Sequence, residues 1–197
     1  MKNIAVLVSG GGTNLQTIID ATETGEINGC IKVVISNNKD AFGLKRAENH
    51  NIKAVYENDE DAIIEELKSN EIDLVVLAGF LKILGPKFTT AFENKIINVH
   101  PSLIPSFCGK GYYGLKVHQA AVDYGVKVSG ATVHFVDENA DTGPIILQDT
   151  VEVLADDTAE QLQKKVLEIE HKILKNVVKS YCADKIKVVG RKVYIED

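Results

Sequence analysis

The stretch KIINVHPSLIP sets Asn98 and His100 two residues apart in an apolar run and follows them at once with Pro101. Side chains alternate along a β-strand, so Asn98 and His100 share one face and Ile97 and Val99 the other. Pro101 cannot donate to a central ladder, which predicts that the strand ends at His100. An amide donor beside an imidazole at a strand end can hold a developing oxyanion. Further along, DENADTGP places Asp141 before a Gly-Pro turn. A carboxylate there can orient His100 and raise its pKa, although Asp-Thr-Gly fits an Asx turn equally well. His134 lies in the run leading to that turn. The spacing of His100, His134 and Asp141 matches no short ligand motif, so no metal is expected.

A second constellation is VSGGGTNLQ at 8–16, a glycine loop between an apolar run and a helical pattern. Glycines let the backbone approach a ligand closely, and a helix N-terminus offers free N–H groups and the positive end of a dipole. It is not the GxxxxGK[ST] loop of nucleoside triphosphatases. It also fails as a dinucleotide fingerprint, because Leu15 stands where the third glycine belongs and Ser36-Asn37-Asn38 supplies no acid for a ribose. A single phosphomonoester fits, with Thr13 and Asn14 as further donors. The alternative is a tight turn with Thr13 or Asn14 as helix cap. Glu170 borders an apolar helical stripe, where a solvated edge is the default. His50, His118 and His171 read as surface residues, and Cys108 as a loop residue.

These residues need a frame. Apolar runs at 3–8, 30–36, 52–56, 72–80 and 95–100 alternate with helical patterns at 14–24, 42–49 and 59–70. That alternation predicts βαβ units, hence a mostly parallel, Rossmann-like twisted α/β sheet with helices on both faces. Ligands in such sheets bind beyond the carboxyl ends of the strands. A Gly-rich loop at 105–114 precedes a helix near 113–124. Longer strands at 128–138 and 143–153 read as an antiparallel hairpin. Thr158 and Gln161 form a capping box for a helix to about Ser180, with Leu162, Val166, Ile169, Ile173 and Val177 as its stripe. KIKVVGRKVYIE reads as a terminal hairpin. One domain over 1–197 is expected, with a half at 1–100 that carries the glycine loop and a half at 101–197 that carries the Asp141 turn, sharing one sheet.

The chain has 197 residues, 45% hydrophobic and 25% charged, with a net charge of −6. This profile suits a globular protein with a sizeable core and argues against a nucleic-acid partner, which clustered Lys and Arg would grip. Cys30, Cys108 and Cys182 show neither metal spacing nor a disulfide framework, so a reducing, cytoplasmic compartment is expected. The first apolar run is short and ends in Ser and glycines, a strand rather than a signal peptide or a membrane span.

VSGGGTNLQ, ISNNKDAFGLKRA, DLVVLAGFLKIL, IINVHPSLIPSFCGKG and TVHFVDENADTGPIILQ together resemble the glycinamide ribonucleotide transformylases, folate-dependent formyltransferases of de novo purine (IMP) synthesis. The resemblance runs from the first strand to the long helix. It implies small-molecule substrates, with the formyl group moving from 10-formyltetrahydrofolate to the amine of glycinamide ribonucleotide. Gly12, Thr13 and Asn14 would bind the phosphate and Glu170 the ribose. Leu81, Lys82, Ile83 and Leu84 would line the pterin pocket, which Asp137, Ala140 and Asp141 would close, with Asn98 also touching the folate. Asn98, His100 and Asp141 would be catalytic: Asn98 and a protonated His100 would stabilise the tetrahedral oxyanion, Asp141 would keep the imidazole charged, and His100 or a water held by Asp141 would carry the proton. It also implies a cis Ile104–Pro105 bond and a monomer or homodimer.

Three features depart from the family pattern. The segment 53–67 is short and acidic, where many relatives carry a basic residue near the folate tail. Lys82 stands where arginine is commoner, keeping charge but losing the planar fork. Leu167 replaces a polar residue that in some relatives also faces the substrate phosphate. The alternative activity is formyltetrahydrofolate hydrolase, which shares the trio but usually has an extra N-terminal domain. A binding module using only the glycine loop would leave Asn98, His100 and Asp141 unexplained.

Overall fold

A strand that is apolar at every position must be covered on both faces. IAVLV meets that condition in the computed structural model, which describes residues 1–196, within central strand β1 (Lys2–Val8), with Ile4 to Val8 fully buried. Around it the chain builds β2 (Gly29–Ser36), β3 (Lys53–Tyr56), β4 (Leu74–Leu77), β5 (Ile96–His100), β6 (Val128–Phe135) and β7 (Ile145–Glu152). The sheet order is β3-β2-β1-β4-β5-β6-β7. Pairing is parallel from β3 to β5 and antiparallel from β5 to β7. One sheet thus carries strands from both sides of residue 100. β1 is followed in space by β2 on one side and β4 on the other, so a crevice opens beyond their carboxyl ends.

The helices are α1 (Thr13–Glu23), α2 (Phe42–Asn49), α3 (Glu60–Ser69), α4 (Pro86–Ala91), α5 (Leu115–Tyr124) and α6 (Ala159–Cys182). Two apolar clusters show how they divide. Ile18 and Ile19 of α1, Ala121 of α5, and Leu162, Val166 and Ile173 of α6 pack on one face of the sheet. Ile63 and Leu67 of α3 and Phe88 of α4 pack on the other. The capping box starts α6: Gln161 N–H donates to Thr158 Oγ1 at 3.3 Å, and Thr158 N–H to Gln161 Oε1 at 2.7 Å. β8 (Ile186–Val189) and β9 (Lys192–Ile195) form the terminal hairpin. The Ile104–Pro105 bond is cis.

One expectation changed, and one short helix was not anticipated. The fourth strand is shorter than its apolar run, because the ladder stops at Leu77 and Gly79, at φ 74°, turns the chain away. Helix α4 is only six residues and begins at Gly85-Pro86, a pair that reads as a turn.

Candidate active site

β1 passes to α1 through Ser9 and three glycines. Gly12, not Thr13 or Asn14, is the N-cap, at φ 70° and without a side-chain capping bond. A Cβ on Gly12 would stand 2.9 Å from Gly43 Cα, so this approach to α2 needs glycine at 12. The loop carbonyls turn toward α2. Gly43 N–H donates to Gly10 O at 3.0 Å and Arg46 Nε–H to Gly11 O at 2.8 Å. Arg46 also donates to Gln16 Oε1 at 3.0 Å and lies over the Phe42 ring. The first-turn N–H groups of Thr13 and Asn14 are left without a protein acceptor among the described residues. Asn14 is buried, donates to Glu170 Oε2 at 2.8 Å, and leaves its own Oδ1 unpartnered among those residues. Burial pushes the Glu170 carboxyl up to about 7, and the Asn14 amide offsets only part of this. Glu170 is thus a buried cavity wall, not a solvated edge.

The second cluster forms where β5 ends. Antiparallel pairing sets Asn98 opposite His134 and His100 opposite Thr132. All four share a face, and directly opposed Cβ atoms stand about 4.5–5.5 Å apart. A register shift in the β6–β7 pairing falls at Val133/His134, where a bulge can re-aim a side chain. Asn98 Nδ2 lies 3.1 Å from His134 Nε2, while His134 Nδ1 lies 2.7 Å from the Phe135 carbonyl. Those contacts fit a His134 that donates through Nδ1 and accepts the Asn98 amide at Nε2. His100 Nε2 lies 3.0 Å from the Phe107 carbonyl, which makes Nε2 a donor.

Asp141 closes the cluster. Its Oδ2 is 3.6 Å from His100 Nδ1 and accepts Gly109 N–H at 2.8 Å, and its Oδ1 is 3.6 Å from His134 Nε2. Asp141 has φ 58°, a left-handed conformation that non-glycine residues adopt rarely and at functional sites more often. The Asx-type bonds of this turn belong to Asp137, whose Oδ1 accepts Asn139 N–H at 3.2 Å and Thr142 Oγ1–H at 2.6 Å. A side chain on Gly143 would collide with the Phe135 carbonyl, so the turn is pinned just after Asp141.

Burial pushes the Asp141 carboxyl up, but His134, His100 and the Gly109 N–H outweigh it and hold the group below the usual carboxylate range. For His100 the balance falls against expectation. Burial lowers its pKa more than Asp141 and the Phe107 carbonyl raise it, and His134 lowers it further. Burial is thus the larger influence on this imidazole, and Asp141 offsets only part of it. The surface reading of His118 is corrected. It is buried to 1% exposure on α5, and burial, with His100 nearby, lowers it to about 4. Helical periodicity turns His118 inward with Val117 and Ala121, a signal available in the sequence.

A cleft of about 820 Å³ joins the two clusters, within the ~300–1,000 Å³ of small-molecule sites. Thr13 and Glu170 line one end, and Asn98, His100 and Asp141 line the chemistry, with His118 and His134 beside them. Leu81, Lys82, Ile83, Leu84, Asp137 and Ala140 line the wall beyond. Gly12 and Asn14 stand behind that surface rather than on it. Leu81 and Ile83 are 60% and 64% exposed, apolar side chains held open at the rim. Leu81 N–H is tied to Ser9 Oγ at 2.8 Å, which links this rim to the glycine loop. Lys82 Nζ is taken up by the Asn58 carbonyl, so the acidic 53–67 segment already holds the cation of this wall.

A doubly wound sheet with polar side chains at its carboxyl edge and a glycine loop before α1 is the architecture of proteins that bind small molecules at that edge. The family model described as "Formyl transferase" matches residues 2–178, and the chain belongs to that family. It is 43% identical to a phosphoribosylglycinamide formyltransferase of Haemophilus influenzae, covering 100% of this chain and 94% of that protein. It is 42% identical to the chloroplastic phosphoribosylglycinamide formyltransferase of Vigna unguiculata, covering 94% of this chain but only 62% of that longer protein. The solved glycinamide ribonucleotide transformylase 1 of Symbiobacterium toebii superposes with a TM-score of 0.94 at 41% identity, covering 100% and 95% of the two chains. A formyltetrahydrofolate deformylase of Pseudomonas syringae superposes at 0.90 with 28% identity, and this chain covers 66% of it.

Proposed function

We infer that this protein transfers the formyl group of 10-formyltetrahydrofolate to the amine of glycinamide ribonucleotide, giving formylglycinamide ribonucleotide and tetrahydrofolate in purine synthesis. The observation that carries the reading is the single cleft that Thr13, Glu170, Asn98, His100, Asp141 and the apolar rim Leu81 to Leu84 line together. The phosphate seats at the first turn of α1 and the ribose near Glu170. The pterin lies against Leu81 to Leu84 and the main chain of 137–141. All the named groups come from one chain, so a monomer holds a whole site. The free cysteines agree with a cytoplasmic reaction, and no helix among the described residues is long and apolar enough to cross a membrane.

The following steps fit the geometry. The substrate amine attacks the formyl carbon, and negative charge develops on its oxygen. Asn98 spends one amide hydrogen on His134 and has a second for that oxygen. His100 enters neutral with its Nε2–H on Phe107, so Nδ1 is the basic nitrogen. It accepts the proton the attacking nitrogen loses, and Asp141 favours the imidazolium that results. The same proton then passes to the leaving nitrogen of the folate as the carbon–nitrogen bond breaks. His100 is thus a base that becomes an acid within one turnover.

The test follows 10-formyl folate consumption by absorbance, with and without glycinamide ribonucleotide. Turnover that requires the ribonucleotide is expected. Turnover without it identifies a hydrolase, and folded protein inactive in both conditions sinks the catalytic reading.

A further inference from the structure

Helix α6 carries five lysines, Lys164, Lys165, Lys172, Lys175 and Lys179. Four are paired with acids. Lys165 meets Asp157 at 2.6 Å, Lys172 meets Asp149 at 2.8 Å, and Lys175 and Lys179 meet Glu26 at 3.2 and 3.8 Å. Lys164 alone has no acidic or hydrogen-bonding partner among the described residues, although Glu160 and Glu168 stand one helical turn to either side. It is also the only one of the five that lines the cleft. Lys164, Leu167 and Glu170 follow at helical spacing and present one face. All three line the same cleft as Thr13 at the first turn of α1, and Glu170 is tied to that turn through Asn14.

A phosphomonoester carries nearly two negative charges, and the helix terminus offers only about half a positive charge. Leu167 adds nothing, and the Glu170 carboxyl is at best neutral there. Of the other cations lining the cleft, Lys82 is held by Asn58, and Lys110 stands on the loop whose Gly109 contacts Asp141. We propose that Lys164 is the cation that binds the substrate's phosphate and makes the site select a phosphorylated amine over its unphosphorylated counterpart. It takes the part that an apolar Leu167 cannot play. The inference rests on the transfer reading above.

The variants are Lys164→Ala, Lys164→Arg and Lys164→Ala with Leu167→Gln. For Lys164→Ala, KM for glycinamide ribonucleotide rises about tenfold or more, the loss of one charge-assisted contact. Its kcat, its KM for the formyl folate and its thermal midpoint stay near those of the parent protein, because Lys164 is exposed and unpaired. Lys164→Arg keeps most of the affinity, and the double variant recovers part of it. Independently of turnover, inorganic phosphate is titrated into the parent protein and Lys164→Ala and followed by NMR. Weaker binding by the variant supports the proposal. Equal binding, no binding by the parent protein, or an unchanged KM overturns it. Absence of ribonucleotide-dependent turnover in the parent protein would sink the transfer reading instead, and the phosphate titration would still decide the role of Lys164.

Discussion

The two ends of the cleft are built by different means. At the glycine-loop end, the first-turn N–H groups of α1 lack a protein acceptor among the described residues, and the loop carbonyls are anchored by Gly43 and Arg46. At the chemical end, side chains from β5, β6 and the 137–143 turn converge, and Asp141 and His100 shift each other's pKa. Recognition of a fixed charge can be left to rigid backbone, which has no pKa to tune. Proton transfer cannot, because it needs a group whose pKa is set by burial and neighbours. Changes at the first end should therefore appear in KM for the ribonucleotide and in stability. Changes at the second should appear in kcat and in the pH profile.

The largest effect expected is at His100. His100→Gln removes the proton carrier and should lower kcat by about 10²- to 10⁴-fold, while KM for the ribonucleotide moves little. Asp141→Asn gives the sharper test. It removes the group that most raises the His100 pKa. The parent rate should fall as pH drops through the lowered pKa of His100. In Asp141→Asn that acid limb should move to lower pH, with a smaller kcat on the plateau. A limb that moves to higher pH would mean that Asp141 does not act through His100.

Glu170 tests the other end by linkage. Its carboxyl rises from 4.5 to about 7 in the fold. Between those values the native state binds more protons than the unfolded state. Stability from this group is therefore full below about pH 4.5 and falls as pH climbs toward 7, by about 3 kcal/mol in all. Glu170→Gln should abolish that fall, as read by denaturant unfolding at pH 5 and 7.5. His118 works in the opposite sense. Lowered to about 4, it stabilises above about pH 6.5 and loses that contribution as pH falls. Only the variants separate the two slopes. Next in size is Gly12→Ala, which forces a side chain into a left-handed turn against Gly43. It should cost about 1–3 kcal/mol of stability and raise KM for the ribonucleotide while sparing kcat.

How far the sequence reveals each end follows from the same contrast. The glycine loop is contiguous, so VSGGGTNLQ could be read as an anion site directly. Alternating apolar runs disclosed the parallel half of the sheet, and the Asn98–His100 face followed from strand period and Pro101. The role of His134 depends on which residue of β6 pairs with Asn98. No local pattern encodes that register, which the pairing of two strands more than thirty residues apart decides. The lowered pKa of His100 escapes the sequence for a related reason. A nearby carboxylate is visible in sequence, but depth of burial, the larger influence here, is a property of the packed molecule. Asn58 capturing Lys82 across 24 residues was hidden in the same way.

Arg46 offers the smallest effect and the finest test of the comparison. It lies outside the cleft, yet its guanidinium holds the Gly11 carbonyl and Gln16 at once and stacks on Phe42. If backbone aim is what the glycine-loop end supplies, loosening this clamp should weaken phosphate binding without removing any atom that touches phosphate. Arg46→Gln keeps length and polarity but loses the fork that bonds both partners. The expected cost is about 1 kcal/mol in stability and a few-fold rise in KM for the ribonucleotide, with kcat and the pH profile of His100 unchanged. A change in that pH profile would show that the two ends are coupled through α1 and α2 and that the division drawn between them is false.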